Sequence, residues 1–448
     1  MKKNLLSLIF IVFTINLWAN GVRIEGIYYL LDSETKTAEV TYTDNKNAYR
    51  GSIVIPEKVT YTGTVYDVTK IGAYAFQGCS RITSITFPNS LLDIGNDAFY
   101  GCENLQKVVV PNIGSWCKVS FKDNPFGYVR FFNMEEGIAE MGYARLYSDE
   151  NTEIINLEIP ESVTSISNYA FSNCISLQSV SIPNSVTTIG NYAFSSCKNL
   201  QSIAIPNGVT TIGNYAFSGC MSLQSVSIPH SVKSVETVFN GCDSLFNVTL
   251  NSDAIAGSNH IYMKDIFGKH VKEFTLGDSV TRIGNYFFSV CTEMTSCTIG
   301  NNVTTIGEFA FVGCSSLDSI IIPNSVIDLG QRTFEGCSGL KSIYLGSNAD
   351  NRENFYSSVY SAFATNGLTS LESIVVAEDN PIYDSRNNCN AIIHTESNSL
   401  ILGCQNTVIP DNVIRIENDA FCDRIGLSSM SIPNNVISIG TLTFWRCI

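Results

Sequence analysis

The sequence predicts a repeat solenoid of β-rich α/β class, in which short parallel strands and single helical or 3₁₀ turns stack over one continuous core behind a β-rich N-terminal cap. Three observations predict it. Phenylalanine returns at 76, 99, 171, 194, 217, 239, 288, 311, 334, 421 and 444, and sequence neighbours in this series share one spacing, shortened by a single position only between Phe217 and Phe239. A template V-T-x-I-G-x-x-A-F-x-x-C-x-x-L-x-S-I-x-I-P-N-S surrounds these positions. Each copy is also too small to bury its own apolar face, so only stacking on its neighbours closes a core.

One copy shows how the unit is built. Leu200-Gln-Ser-Ile203-Ala-Ile205 alternates apolar and polar residues and reads as a short strand, which Pro206, Asn207 and Gly208 end as a turn. Val186 to Ile189 is a second extended piece that stops at Gly190, and the "NYAF" after it has room for one helical turn. Strands stacked in this way lie roughly 4.8 Å apart. The core then consists of ladders of like residues, among them Phe76, Phe99, Phe171, Phe194, Phe217, Phe311, Phe334, Cys197, Cys220 and Cys314.

Along the chain the elements follow in order. Residues 1–20, MKKNLLSLIFIVFTINLWAN, have two lysines before an apolar stretch, the layout of a secretory signal peptide cleaved near Ala19; an uncleaved anchor is the alternative. Residues 21–67 carry the β-type alternation of the cap, and 68–111 hold the first repeats. An aromatic-rich insertion at 112–156 precedes the repeats of 157–346, which include a contracted copy near 251–277 with Phe267, Val271, Phe274 and Leu276 in the core slots. A second insertion, 347–407, contains a hairpin pattern between Cys389 and Cys404, and 408–448 resumes the repeats with the last one incomplete. That leaves an expected uncapped sheet edge, a surface for self-association. No later segment approaches the roughly 18 apolar residues of a membrane helix.

Ten of the fifteen cysteines stand three residues after a repeat phenylalanine. An ordered cysteine pattern in an exported chain usually suggests disulfides. Side chains in register point in parallel, whereas a bridge needs them to converge, so buried thiols packing as small hydrophobes are expected. Arg424 takes the cysteine position of its copy. Cys389 and Cys404 are the pair to test for a bridge.

The chemistry the sequence excludes is broader than the chemistry it offers. A net charge of −14 without a Lys/Arg cluster disfavours nucleic acid. The four histidines form no close-spaced ligand pattern, and no nucleophile elbow or phosphate loop is present. The expectation is therefore a chain with no catalytic residue, no metal and no cofactor.

The template resembles the 23-residue BspA-like class of leucine-rich repeats over most of residues 68–448. The resemblance implies a right-handed curved solenoid, exported to the cell surface or beyond in gut and oral anaerobes and some parasitic protists. It also implies attachment to host proteins and cells. The chain departs from tidier members at Ser167, Glu236 and Glu417, which replace the template glycine.

Binding sites are expected where interface-forming residues gather, because Trp, Tyr and Arg anchor most strong interfaces. They gather in the insertions, as Trp116, Tyr128, Arg130, Phe131, Tyr143, Arg145, Tyr147, Tyr356 and Tyr360. The outward strand positions, such as Ser179, Ser202, Ser225 and Ser319, make a small and nearly uncharged face. The leading expectation is a non-enzymatic secreted or surface protein that binds an extracellular host protein. A module of an extracellular hydrolase and a self-associating surface-layer component are the alternatives.

Overall fold

The computed structural model describes residues 21–45, 48–125, 145–259, 261–347, 354–363 and 367–447, with the backbone alone for 354–358. The signal-peptide reading falls on 1–20 and so lies outside the described residues. The chain divides into two compact units, Met1–Gly208 with Ile212–Ser222, and Val209–Thr211 with Leu223–Ile448.

In the first unit, Val22–Ile24, Ile27–Asp32 and Thr37–Val40 form an antiparallel meander. Thr37–Val40 then lies parallel to Thr64–Ile71, and that strand is parallel to Asp93–Ile94. The cap and the first coils therefore share one sheet. Tyr49 begins the aromatic ladder, with its ring 4.9 Å from that of Phe76, which stacks in turn on Phe99 at 5.2 Å. A second sheet runs Gly51–Val54, Ile82–Thr86, Lys107–Val109 and Arg145–Tyr147, all parallel. The described ends of 112–156 thus extend the solenoid: Ser120–Phe121 lies on Asp93–Ile94 and Arg145–Tyr147 on Lys107–Val109.

The regular coils follow at Asn156–Glu158, Ser179–Ser181 and Ser202–Ala204, paired in parallel with an offset of one repeat. Alternation along each strand buries Val180 and Ile203 and leaves Ser181 and Ala204 outside, as period-two geometry requires. The expected helical turn at "NYAF" is replaced by another arrangement. Tyr192 and Ser196 adopt φ of +55° and +59°, in the left-handed region, so no helix can propagate. Their amides and that of Phe194 donate to Asn214, Ser218 and Ala216 of the next coil at 3.0, 2.6 and 2.8 Å. The alternate amides of Ala193, Ser195 and Cys197 donate within their own coil, to Gly190, Tyr192 and Phe194. A continuing helix would have turned these amides toward carbonyls of its own chain segment. This alternation instead builds a third ladder between coils.

The ladder also accounts for the cysteines. The Cys197 thiol donates to the carbonyl of Phe171 at 3.2 Å, and Cys220 repeats this contact on Phe194 at 3.3 Å. Each sulfur fills a small apolar slot and supplies a weak donor to a buried carbonyl. All fifteen cysteines carry thiols, Cys389 and Cys404 included. Burial pushes Cys174 up to about 12, and Cys197 well above the ordinary thiol value. Phe171, Phe194 and Phe217 stack at 5.3 and 5.4 Å, and the Tyr169, Tyr192 and Tyr215 rings stack outside them at 5.1 and 5.0 Å.

The second unit uses the same construction over Ser225–Ile228, Asn247–Leu250, Glu273–Leu276, Ser296–Thr298, Ser319–Ile322, Ser342–Leu345 and Ser373–Val376. Cys314 and Cys337 donate to Phe288 and Phe311 at 3.1 Å. The copy expected to be contracted is longer than the template, since Asn247 pairs with Glu273 and overshoots His270, where a template step would end. Two short helices, Asp253–Ala256 and Met263–Phe267, take up the extra length, and Phe267 stacks on Phe239 at 5.6 Å. Phe267, Val271, Phe274 and Leu276 are buried. Within 347–407 the helix Asn354–Phe363 delivers Phe363 onto Phe334 at 4.9 Å. The antiparallel pair Ala391–His394 and Ser399–Gly403 is the hairpin expected between the two cysteines. All ten core residues named from the sequence, from Phe76 to Cys314, are buried.

Candidate functional site

The first aromatic group sits at the start of the 112–156 segment. Asn112 caps the short helix Ile113–Trp116 by accepting the Ser115 amide at 2.9 Å. The helix turns Trp116 inward, against the expectation of a contact residue. Its indole is 3% exposed, donates to the Ala170 carbonyl at 2.7 Å and lies 5.1 Å from both Phe87 and Phe121. Trp116 is a core anchor, because an indole has one donor and this one is spent on a buried carbonyl. Cys117 beside it is also buried, and its thiol is pushed up to about 12, which leaves no thiolate for chemistry.

Arg145 and Tyr147 remain at the surface on their strand, on either side of buried Leu146. Arg145 pairs with Glu153 at 3.2 Å, and the Lys107 ammonium lies 4.5 Å from the Tyr147 ring centroid. Lys107 also donates to the Glu150 carbonyl. Tyr128, Arg130, Phe131 and Tyr143 lie outside the described residues, as does the Tyr356 side chain. Tyr360 is partly buried in the second unit, and burial raises its phenol above the usual range. Of the described members of the predicted set, Trp116 is core, Arg145 and Tyr147 share one strand of the first unit, and Tyr360 lies in the second.

The outward strand face carries a feature to which the aromatic-rich inserts gave no pointer. In the second unit the position between the two inward residues runs Thr275, Thr298, Ile321, Tyr344 and Val375. Ile321, Tyr344 and Val375 are direct register partners and are 61%, 38% and 44% exposed. Thr275, Thr298, Ser319 and Ile321 also line a shallow depression of about 620 Å³. The signal was present in Leu-x-Ser-Ile-x-Ile, where small polar residues at the second x give way to large apolar ones. Among the described residues, no group of three or more His, Cys, Asp or Glu side chains could hold a metal ion. No described helix is long and apolar enough to cross a membrane.

Comparison with known proteins agrees with this architecture. The pattern of the BspA type leucine rich repeat region matches in six copies over residues 52–126, 143–266, 259–385 and 398–448. The chain belongs to that family. No curated protein matches it. Among solved structures it is similar to a leucine-rich repeat protein from Bacteroides ovatus, at 24% identity over 80% of this chain and 100% of that one, with a TM-score of 0.36. A leucine rich cell surface protein from Faecalibacterium prausnitzii is 24% identical over 79% of this chain and 94% of that one, with a TM-score of 0.34. The pneumococcal vaccine antigen PcpA is 18% identical over 94% and 98%, with a TM-score of 0.37.

Proposed function

We propose that this leucine-rich repeat chain is an exported, surface-displayed protein that binds other proteins, with extracellular host proteins as its targets. The observation that carries the reading is the exposed strip Ile321–Tyr344–Val375, held on a rigid parallel sheet. Large apolar side chains fixed in register lose little conformational freedom on binding, and tyrosine at the centre of such a strip is a frequent hot spot. Arg145, Tyr147 and Tyr360 offer further contacts at the inserts. Support for export comes from the lysine-led apolar segment at residues 1–20.

The test is a binding screen of the mature chain against extracellular matrix and plasma proteins at physiological salt. A saturable partner whose affinity falls by at least about tenfold in Tyr344→Ala supports the reading. A partner that binds Tyr344→Ala and Arg145→Ala as tightly as the parent moves the contact elsewhere, and an empty screen refutes the choice of target.

A further inference from the structure

The residue after the repeat leucine faces solvent, and most coils place a polar side chain there: Gln178, Gln201, Gln224, Lys272, Thr295, Asp318, Lys341 and Glu372. The coil of residues 242–250 places Phe246 instead. Its ring is 41% exposed, and it is the one phenylalanine so exposed among the described residues. No packing requirement explains it, since the core slot beside it is filled by Leu245. The ring stands on a fixed backbone, for the Phe246 carbonyl accepts the Lys272 and Glu273 amides at 2.8 and 2.9 Å.

Around Phe246 four successive coils form an open depression of about 600 Å³, lined also by Gln224, Asp243, His270, Lys272 and Glu293. The His270 imidazole is held by Glu293, with Nδ1 3.1 Å from a carboxylate oxygen. The site therefore combines an apolar floor with a rim of two carboxylates, an amide, an imidazole and an ammonium group.

We propose that this depression binds a neutral carbohydrate, with one pyranose ring laid on Phe246. A pyranose has an apolar C–H face to cover an aromatic ring and a rim of hydroxyls, each needing both donors and acceptors, which this wall supplies. Anionic ligands are opposed by Asp243, Glu293 and the net charge of −14. A basic peptide is the competing occupant, since it would satisfy the carboxylates and meet the ring as a cation with only Lys272 opposed, and the oligolysine titration below separates the two. The proposal is independent of the protein-binding reading, which Tyr344→Ala tests.

The experiment titrates the full chain with short neutral oligosaccharides of hexose and of N-acetylhexosamine, and with an oligolysine peptide, using saturation-transfer NMR and calorimetry. At least one sugar series should bind, with Phe246→Ala weakening it by at least about tenfold and Glu293→Gln by less. Tyr344→Ala should leave sugar binding unchanged, and the melting temperature of Phe246→Ala should match the parent because the ring is exposed. No binding by either sugar series, sugar binding indifferent to Phe246→Ala, or binding of oligolysine alone overturns the proposal.

Discussion

The regular coils of residues 165–220 and the coil between Asn247 and Glu273 solve one packing problem in different ways. The regular coils reach the next ring slot in one template length through left-handed Tyr192 and Ser196, which free alternate amides for the neighbouring coil. The irregular coil uses more chain and two short helices, and still sets Phe267 on Phe239 in near-parallel stacking. The contour from Ser342 to its register partner Ser373 is longer again, with Phe363 in the slot on Phe334. The contour between slots is thus free to change, while the ring, the inward strand residues and the strand register are not.

Alkali should break the regular coils most severely. They hold the buried thiols of Cys174, pushed by burial up to about 12 from 9.0, and Cys197, pushed well above 9.0; outside them Cys102, Cys117 and Cys291 are also raised to about 12. Between pH 9 and 12 the unfolded chain releases thiol protons that the folded chain retains. The thiol contribution to stability is therefore complete below pH 9 and falls as pH rises toward 12. Melting curves under reducing conditions should drop steeply across that window; a flat profile would mean the thiols ionise in place.

Next in size is Phe194→Ala, expected to cost about 3–5 kcal/mol because the fully buried ring loses stacking partners on both sides. Phe267→Ala should cost a similar amount if the irregular coil uses the slot in the same way. Chemical denaturation of both variants measures the difference.

Arg424, which takes the template cysteine position after Phe421, gives a smaller effect. Its buried guanidinium donates to the Gly403, Leu368 and Cys422 carbonyls at 2.7, 3.1 and 2.6 Å, and burial lowers it to about 10. Arg424→Ala should cost about 2–3 kcal/mol through those abandoned carbonyls. Cys197→Ala comes last, at about 1–2 kcal/mol, since it removes one sulfur and one weak donor. Equal stability of Cys197→Ala and the parent would reduce the thiol contact to mere proximity.

The periodic positions were legible in the sequence because one physical constraint repeats at each of them. Phe171, Phe194 and Phe217 answer to the same slot, so the slot shows as a pattern. Trp116 was not legible as core, because its slot occurs once and its partner, the Ala170 carbonyl, is 54 residues away. Phe363 was hidden for a related reason: a helix carries it to its slot, so the distance along the chain gives no cue. The left-handed tyrosines also ran against expectation, since tyrosine rarely adopts φ above zero unless its surroundings enforce it. Ile321, Tyr344 and Val375 were visible one at a time, but their adjacency depends on register.

The alternating amides of the third ladder have a genetic consequence. Phe194 donates forward to Ala216 just as Phe171 donates forward to Ala193, so every regular coil shows the same donors on one rim and the same acceptors on the other. A recombination event that adds or drops one template-length block of codons within 165–220 leaves every rim matched. Alleles differing by whole coils should then fold alike, and the length of this stretch is open to selection without a new fold having to be found.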